Sequence, residues 1–346
     1  MLMTLGNFLK NFLPQPGAQL VHNDALPRRP PLRPLGLDDF LNLDIPPRQM
    51  LLSPILPERS LAMLYAPRGV GKTLLGLSIG LAVASGSPLL RWSTPHPRRV
   101  LYVDGEMPLV SLQERLRAIS LGLSGEVLNA DFRILAADHV EGGINLGSEQ
   151  GQRALDLLLE DVDLLILDNL STLCTSGGES ASDAWVPMQN WLLMLRRRGI
   201  AVLFIHHAGT NGRQRGTSRR EDALDTVIAL RRPEDYSPEQ GARFEIHFEK
   251  LRNRADGAGA VPFEASLESF TGDERDGIRW CSRDLVAPIL KRAAALFTDG
   301  LTVREVAAIL RVSKSEAGRL RIQAMDNGLV TPDEDRELND HQAMVQ

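Results

Sequence analysis

Leu61-Ala-Met-Leu-Tyr-Ala-Pro-Arg-Gly-Val-Gly-Lys-Thr73 is the stretch whose reading decides the fold. It opens with an apolar run of strand character, Leu61 to Tyr65, and Leu74 to Ala84 follows it as an apolar helical pattern broken by Gly76, Ser78 and Gly80. Between them lie Ala66, Pro67, Arg68, Gly69, Val70, Gly71, Lys72 and Thr73. Strand, glycine-bearing loop and helix in this order make a cradle for phosphates. Gly69 and Gly71 let backbone amides turn toward an anion, and the helix contributes the positive end of its dipole. ATP with Mg²⁺ is the expected ligand: Lys72 should reach the β and γ phosphates, and the Thr73 hydroxyl should ligate the metal. The one departure is Ala66, where the usual loop begins with glycine.

Outward from this loop, from Leu61 to about Leu267, short apolar runs alternate with helical patterns, which predicts a mostly parallel sheet with crossover helices. Strands are expected at Leu61 to Tyr65, Val100 to Asp104, Leu164 to Asp168, Ala201 to Ile205, Val227 to Leu230 and Phe244 to Lys250. Leu164-Leu-Ile-Leu-Asp168 is four aliphatics ending in an acid, so a carboxylate should emerge at the strand's end beside the phosphate loop and hold the Mg²⁺ water shell. ATP hydrolysis also needs a base, and Asp168 is followed by Asn169 rather than a second acid. Val100-Leu-Tyr-Val-Asp-Gly-Glu106 brings two carboxylates to the same sheet edge, where ligands of parallel sheets gather. Glu106 is the expected base and Asp104 the alternative.

The bulk composition sets wide bounds. A chain of 346 residues predicts a main domain plus a smaller appendage. With 43% hydrophobic and 24% charged residues the composition is that of a globular protein. No apolar stretch approaches the roughly 20 residues of a membrane span. The N-terminus lacks the basic region and sustained apolar core of a signal peptide, so a cytoplasmic location is expected. Cys174 and Cys281 match neither a metal spacing nor a disulfide framework. A net charge of −5 argues against an all-basic surface but leaves room for local cationic patches that could contact nucleic acid. Residues 14 to 57 are proline-rich, densest in Pro27-Arg-Arg-Pro-Pro-Leu-Arg-Pro-Leu35, and read as an extended arm.

APRGVGKT, YVDGEM, LLILDNLS and FIHHAGTNGRQRGTS, in this order and spacing over about residues 45 to 268, resemble the RecA-like ATPases of the RepA type, hexameric replicative helicases encoded by plasmids. The resemblance implies a RecA-like α/β fold, with Glu106 activating water and Asp168 as the Walker B aspartate. It makes the pair His206 and His207 the sensor that links the γ-phosphate to a DNA-facing loop. In such folds DNA lies on the loops after the Walker B strand and the next strand, here Ser171 to Asp183 and Ala208 to Asp222. The second carries Arg213, Arg215, Arg219 and Arg220 among Gly and Ser, a cationic loop suited to tracking phosphates of single-stranded DNA. In ring-forming members the lysine and arginine after the strand that here is Phe244 to Lys250 point into the neighbouring subunit's nucleotide. Lys250 and Arg252 match, with Arg254 as the alternative finger.

Beyond Asp284, Leu301 to Arg321 contains two short helical patterns around Arg311-Val-Ser313, resembling a winged helix-turn-helix. Thr302 and Ser313 are the expected helix caps, Lys314, Arg319 and Arg321 the candidate DNA contacts, and Met325 to Val330 the start of a wing. The expected organisation is an N-terminal arm at 1–44, a RecA-like ATPase domain at 45–270, a helix-turn-helix-like domain at 285–331 and an acidic disordered tail at 332–346. Two functions fit this order: a ring-shaped helicase or replication ATPase acting on single-stranded DNA with replication proteins as possible partners, or an ATP-switched DNA-binding regulator that does not unwind. A metabolic kinase fits poorly, since no acceptor-substrate or lid signature accompanies the loop.

Overall fold

A computed structural model of the chain describes residues 34–123, 127–174, 185–208, 222–252, 258–271, 276–285 and 288–330, with Leu128, Ala258 and Pro288 described by their backbone only. The chain falls into two compact units, Met1–Pro47 and Arg48–Gln346. Within the first, α1 (Leu37–Leu41) carries Asp38 and Asp39 in its first turn and buries none of its residues. The proline-rich stretch does not stay extended to residue 57. Its last part forms the antiparallel pair β1 (Met50–Leu52) and β2 (Leu56–Pro57). Leu51, Leu52, Ile55 and Leu56 are buried in the main core because apolar side chains outweigh proline's preference for an open chain.

The second unit is built on β3 (Leu61–Ala66), α2 (Lys72–Ser85), β4 (Val100–Asp104), α3 (Leu109–Gly122), β5 (Phe132–Ala136), α4 (Glu149–Asp156), β6 (Leu164–Asp168), α5 (Leu170–Leu173), α6 (Trp185–Arg197), β7 (Ala201–His207), β8 (Thr226–Arg231), β9 (Arg243–Leu251), β10 (Phe263–Thr271) and β11 (Asp276–Asp284). The sheet order is β11-β10-β9-β8-β3-β7-β6-β4-β5. From β8 to β5 neighbours run parallel; β9, β10 and β11 add antiparallel strands at the other side. This is a RecA-like α/β fold. All six expected strands form, within a residue or two of the expected ends. β5, β10 and β11 lacked a clean apolar period and extend the sheet at both edges, so it runs on to Asp284, past residue 270.

Side chains alternate across the parallel strands, and both faces are covered. Ala62, Leu64, Val100, Tyr102, Ile166, Leu203 and Ile205 join the core with α2, whereas Met63, Tyr65, Leu101, Val103, Leu167, Val202 and Phe204 join that with Trp185, Met188, Trp191 and Leu195 of α6. The register aligns Asp104 with Asp168 and Ala66 with His207. The sequence therefore delivers its polar strand ends to one edge.

A third apolar cluster joins α7 (Pro288–Thr298), α8 (Val303–Leu310) and α9 (Lys314–Asp326) around Phe297, Val306, Ala317 and Leu320. Both expected caps form. Thr302 Oγ1 accepts from Glu305 N at 3.4 Å while Glu305 accepts from Thr302 N at 2.8 Å, and Ser313 Oγ accepts from Glu316 N at 3.1 Å. The wing expected from Met325 is not where the sequence put it: Met325 and Asp326 close the last turn of α9, and residues 327–330 form no strand.

Candidate functional site

The loop between β3 and α2 turns through Gly69 at φ 74° and Gly71 at φ 118°, backbone angles that a side chain disfavours. A Cβ on Gly71 would also stand 3.1 Å from Phe244 of β9. Lys72 begins α2, buried, with its ammonium donating to Ala66 O at 3.0 Å and Pro67 O at 2.8 Å. Burial lowers its pKa to about 8, against the opposing pull of Asp168 and Glu106. Pro67, Arg68 and Gly69 are exposed, Val70 is buried, and Thr73 is half-buried.

Asp168 ends β6 almost fully buried, and this desolvation raises its pKa to about 6. Tyr102 donates its hydroxyl to Asp168 Oδ2 at 2.6 Å, and the Thr73 side chain hydrogen-bonds to the same carboxylate. Asp104 is buried too, and burial raises its pKa. Its Oδ2 accepts from the backbone amides of Glu106 at 3.1 Å and Met107 at 2.7 Å, so this carboxylate clamps the turn after β4. Glu106, the other carboxylate of that turn, is 55% exposed. Its Oε2 accepts from Asn169 Nδ2 and lies 3.8 Å from His207 Nε2, beyond hydrogen-bond length. Burial, then the charge of Lys72, lowers the His207 pKa against the opposing pull of Glu106. His206 is buried one residue earlier on β7.

The fold thus gathers the 66–73 loop, Glu106, Asp168 and His207 at one edge, reached from β3, β4, β6 and β7. Lys250 and Arg252 stand elsewhere, at the end of β9. Arg252 Nη2 donates to Asp222 O and Lys250 Nζ lies 3.5 Å from the same carbonyl, at the boundary of residues 209–221. Arg213, Arg215, Arg219, Arg220 and Arg254 lie outside the described residues, as does most of the first candidate DNA loop. On α9, Lys314 and Arg319 are exposed, whereas Arg321 is half-buried with its guanidinium 5.9 Å from the Phe297 ring. That contact gives Arg321 a packing partner.

Sequence reasoning gave no role to three residues. Tyr102 is the one phenol in an otherwise aliphatic buried strand, and a buried hydroxyl demands a partner, which was a usable signal. Asn169 is an N-cap type placed directly after a strand. Arg232 had no sequence signal: it reaches the loop from the β8–β9 connection, donating to Gly69 O at 2.6 Å with its guanidinium 3.5 Å above the Tyr236 ring.

The donor set suits a nucleotide with Mg²⁺. A hydroxyl and a carboxylate side by side are hard oxygen ligands, few enough for an ion that keeps phosphate oxygens and water. The glycine turn faces the N-terminus of a fourteen-residue helix. Among the described residues no helix is long and apolar enough to cross a membrane.

Two solved structures resemble the chain at low identity. A KaiC-like protein from the hyperthermophilic archaeon Pyrococcus horikoshii is 11% identical over 67% of this chain and 98% of its own, with a TM-score of 0.46. The flagellar accessory protein FlaH from Methanocaldococcus jannaschii is 10% identical over 66% of this chain and 92% of its own, with a TM-score of 0.43. A family model described as an AAA domain matches residues 27–213, a span that includes the phosphate loop, Glu106, Asp168 and the histidine pair. That match covers more than half of the sequence, and the chain belongs to this AAA-domain family, AAA_25, of P-loop ATPases.

Proposed function

We propose that this P-loop ATPase hydrolyses ATP as a ring-forming motor on single-stranded DNA, in the manner of a RepA-type helicase. The observation that carries the hydrolytic part is the convergence of Lys72, Thr73, Asp168 and Glu106 at one sheet edge. Lys72 leaves its carbonyl partners to bind the β and γ phosphates. Thr73 and Asp168 would hold Mg²⁺, which would neutralise phosphate charge. Glu106, exposed and hydrogen-bonded on one oxygen, accepts the proton of the attacking water. His207, beside Glu106, reports the state of the γ-phosphate to the loop that follows β7.

The DNA part rests on the resemblance, on the arginines at 213, 215, 219 and 220, and on the placement of Lys250 and Arg252 next to Asp222, where that loop ends. In a ring these two cations would serve a neighbouring subunit's nucleotide. A second reading, an ATP-switched regulator recognising duplex DNA, is favoured by one observation: α8 and α9 carry both helix caps and present Lys314 and Arg319 to solvent. Strand displacement on forked DNA separates the two. Unwinding that requires ATP supports the motor; ATP turnover and duplex binding without unwinding support the regulator. The mass of the assembly, measured with and without ATP and single-stranded DNA, tests the ring.

A further inference from the structure

We propose that Asn169 is the positioning residue for the Glu106 carboxylate, acting from the N-cap of α5. This rests on the reading of Glu106 as the water-activating base.

The two ends of the Asn169 amide do different jobs. Its Oδ1 accepts from Ser171 N at 3.0 Å, Thr172 N at 3.2 Å and Ser171 Oγ at 2.6 Å, which is the work of a helix cap. Its Nδ2 donates to Glu106 Oε2. A cap needs only an acceptor, and Asp or Ser would fill it as well as Asn. The donor is what Asn adds. Its orientation is also determined: with the amide flipped, the NH₂ group would face two backbone N–H donors and Oδ1 would face a carboxylate oxygen. Asn169 is 1% exposed, so it has no solvent in which to find another arrangement.

Glu106 needs such a partner. Its backbone is already held by Asp104, but its carboxylate is more than half exposed, and His207 is too far to anchor it. Among the described residues Asn169 makes the short contact to that carboxylate. The frame between the two residues is stiff. Gly105 N donates to Asp168 O at 2.7 Å, and a Cβ on Gly105 would come within 2.6 Å of Thr172 Oγ1 and 2.8 Å of Leu173 Cδ2. The turn bearing Glu106 therefore lies flat on α5, with no room for a side chain between them. Asn169 fixes one carboxylate oxygen and leaves the other for water.

The test uses Asn169→Ser and Asn169→Asp in the full chain. Both keep a cap acceptor; Ser is too short to reach Glu106, and Asp has no donor to offer it. The readouts are kcat, the Kd of ATP, thermal stability, and the same substitutions in a Glu106→Gln background. Expected for Asn169→Ser are near-parental stability and ATP affinity, and for Asn169→Asp a lower stability, because a buried carboxylate then faces that of Glu106. For both, kcat should be lower on the order of 10- to 100-fold, as for other lost positioning contacts, with no further loss on top of Glu106→Gln. A parental kcat in both variants, with Glu106→Gln inactive, overturns the proposal and leaves Asn169 a cap alone. So does a loss that multiplies with that of Glu106→Gln, because a residue acting through Glu106 has nothing left to position. Parental turnover in Glu106→Gln itself refutes the underlying reading of the base.

Discussion

The parallel and antiparallel halves of the sheet treat water differently. Every residue of β3, β4 and β6 is buried, whereas β11 buries only Gly277. Strands covered on both faces can offer chemistry only at their ends, and there the chain places Asp104, Asp168 and the histidine pair. The antiparallel half has one face to spare and uses it as a wall. Phe244 stands against the phosphate loop, and Trp280 donates from β11 to Ser78 Oγ of α2 at 2.8 Å while its ring lies 5.4 Å from Phe244. In the proposed function, one half would carry the reaction and the other would hold the loop that binds the nucleotide.

The sharpest attempt to break this division is Lys72→Ala, which should abolish ATP turnover because the phosphates lose their principal cation. Unchanged turnover would place the chemistry away from the parallel edge. Glu106→Gln should keep ATP binding and slow hydrolysis on the order of 10²- to 10⁴-fold, the usual worth of a general base. Should Asp104→Asn prove the more damaging, the clamp and the base have been exchanged.

Arg252→Ala probes whether the antiparallel half contributes to chemistry in a second subunit. It should bind ATP nearly normally and hydrolyse it on the order of 10³-fold more slowly, as other lost arginine fingers do. Mixing it with Lys72→Ala protein should restore some turnover, since a mixed interface pairs an intact loop with an intact finger. Assembled mixtures without rescue at any ratio would confine Arg252 to its own subunit. The supporting role of the wall is tested by Trp280→Phe, which removes the hydrogen bond to Ser78 and keeps an aromatic ring. It should cost about 1 kcal/mol of stability in a denaturant titration, with kcat unchanged; an altered kcat would make β11 part of the reaction. The smallest effect is expected from removing residues 285–346. That cluster has its own core, and basal ATPase should stay at the parental level; loss of ATP binding would show that α7 to α9 support the sheet.

How far the site could be read from sequence depended on the range of each interaction. The loop at 66–73 was fully readable because its chemistry is local, with glycines, a lysine and a threonine at fixed spacing before a helix. Glu106 and Asp168 were readable as strand ends. Their distinction from Asp104 was only half readable, since which carboxylate clamps the turn and which stays free depends on where two backbone amides point. The partners Asn169 and Tyr102 lie 63 and 66 residues from the groups they hold, and Arg232 lies 163 residues from Gly69.

What the sequence alone determined is the order of its elements and the identity of its polar strand ends. Buried aliphatic runs, turn residues and helix caps act over a few positions, and β3, β4, β6 to β9, α2 and the capped pair α8 and α9 follow from them. Only the tertiary structure decided the sheet order, the level register of Asp104 with Asp168 and of Ala66 with His207, and the extra strands β5, β10 and β11. Strand pairing is a long-range choice between chain segments. It is settled by which apolar faces can be covered together, and that information is spread over the whole chain rather than written in any one stretch of it.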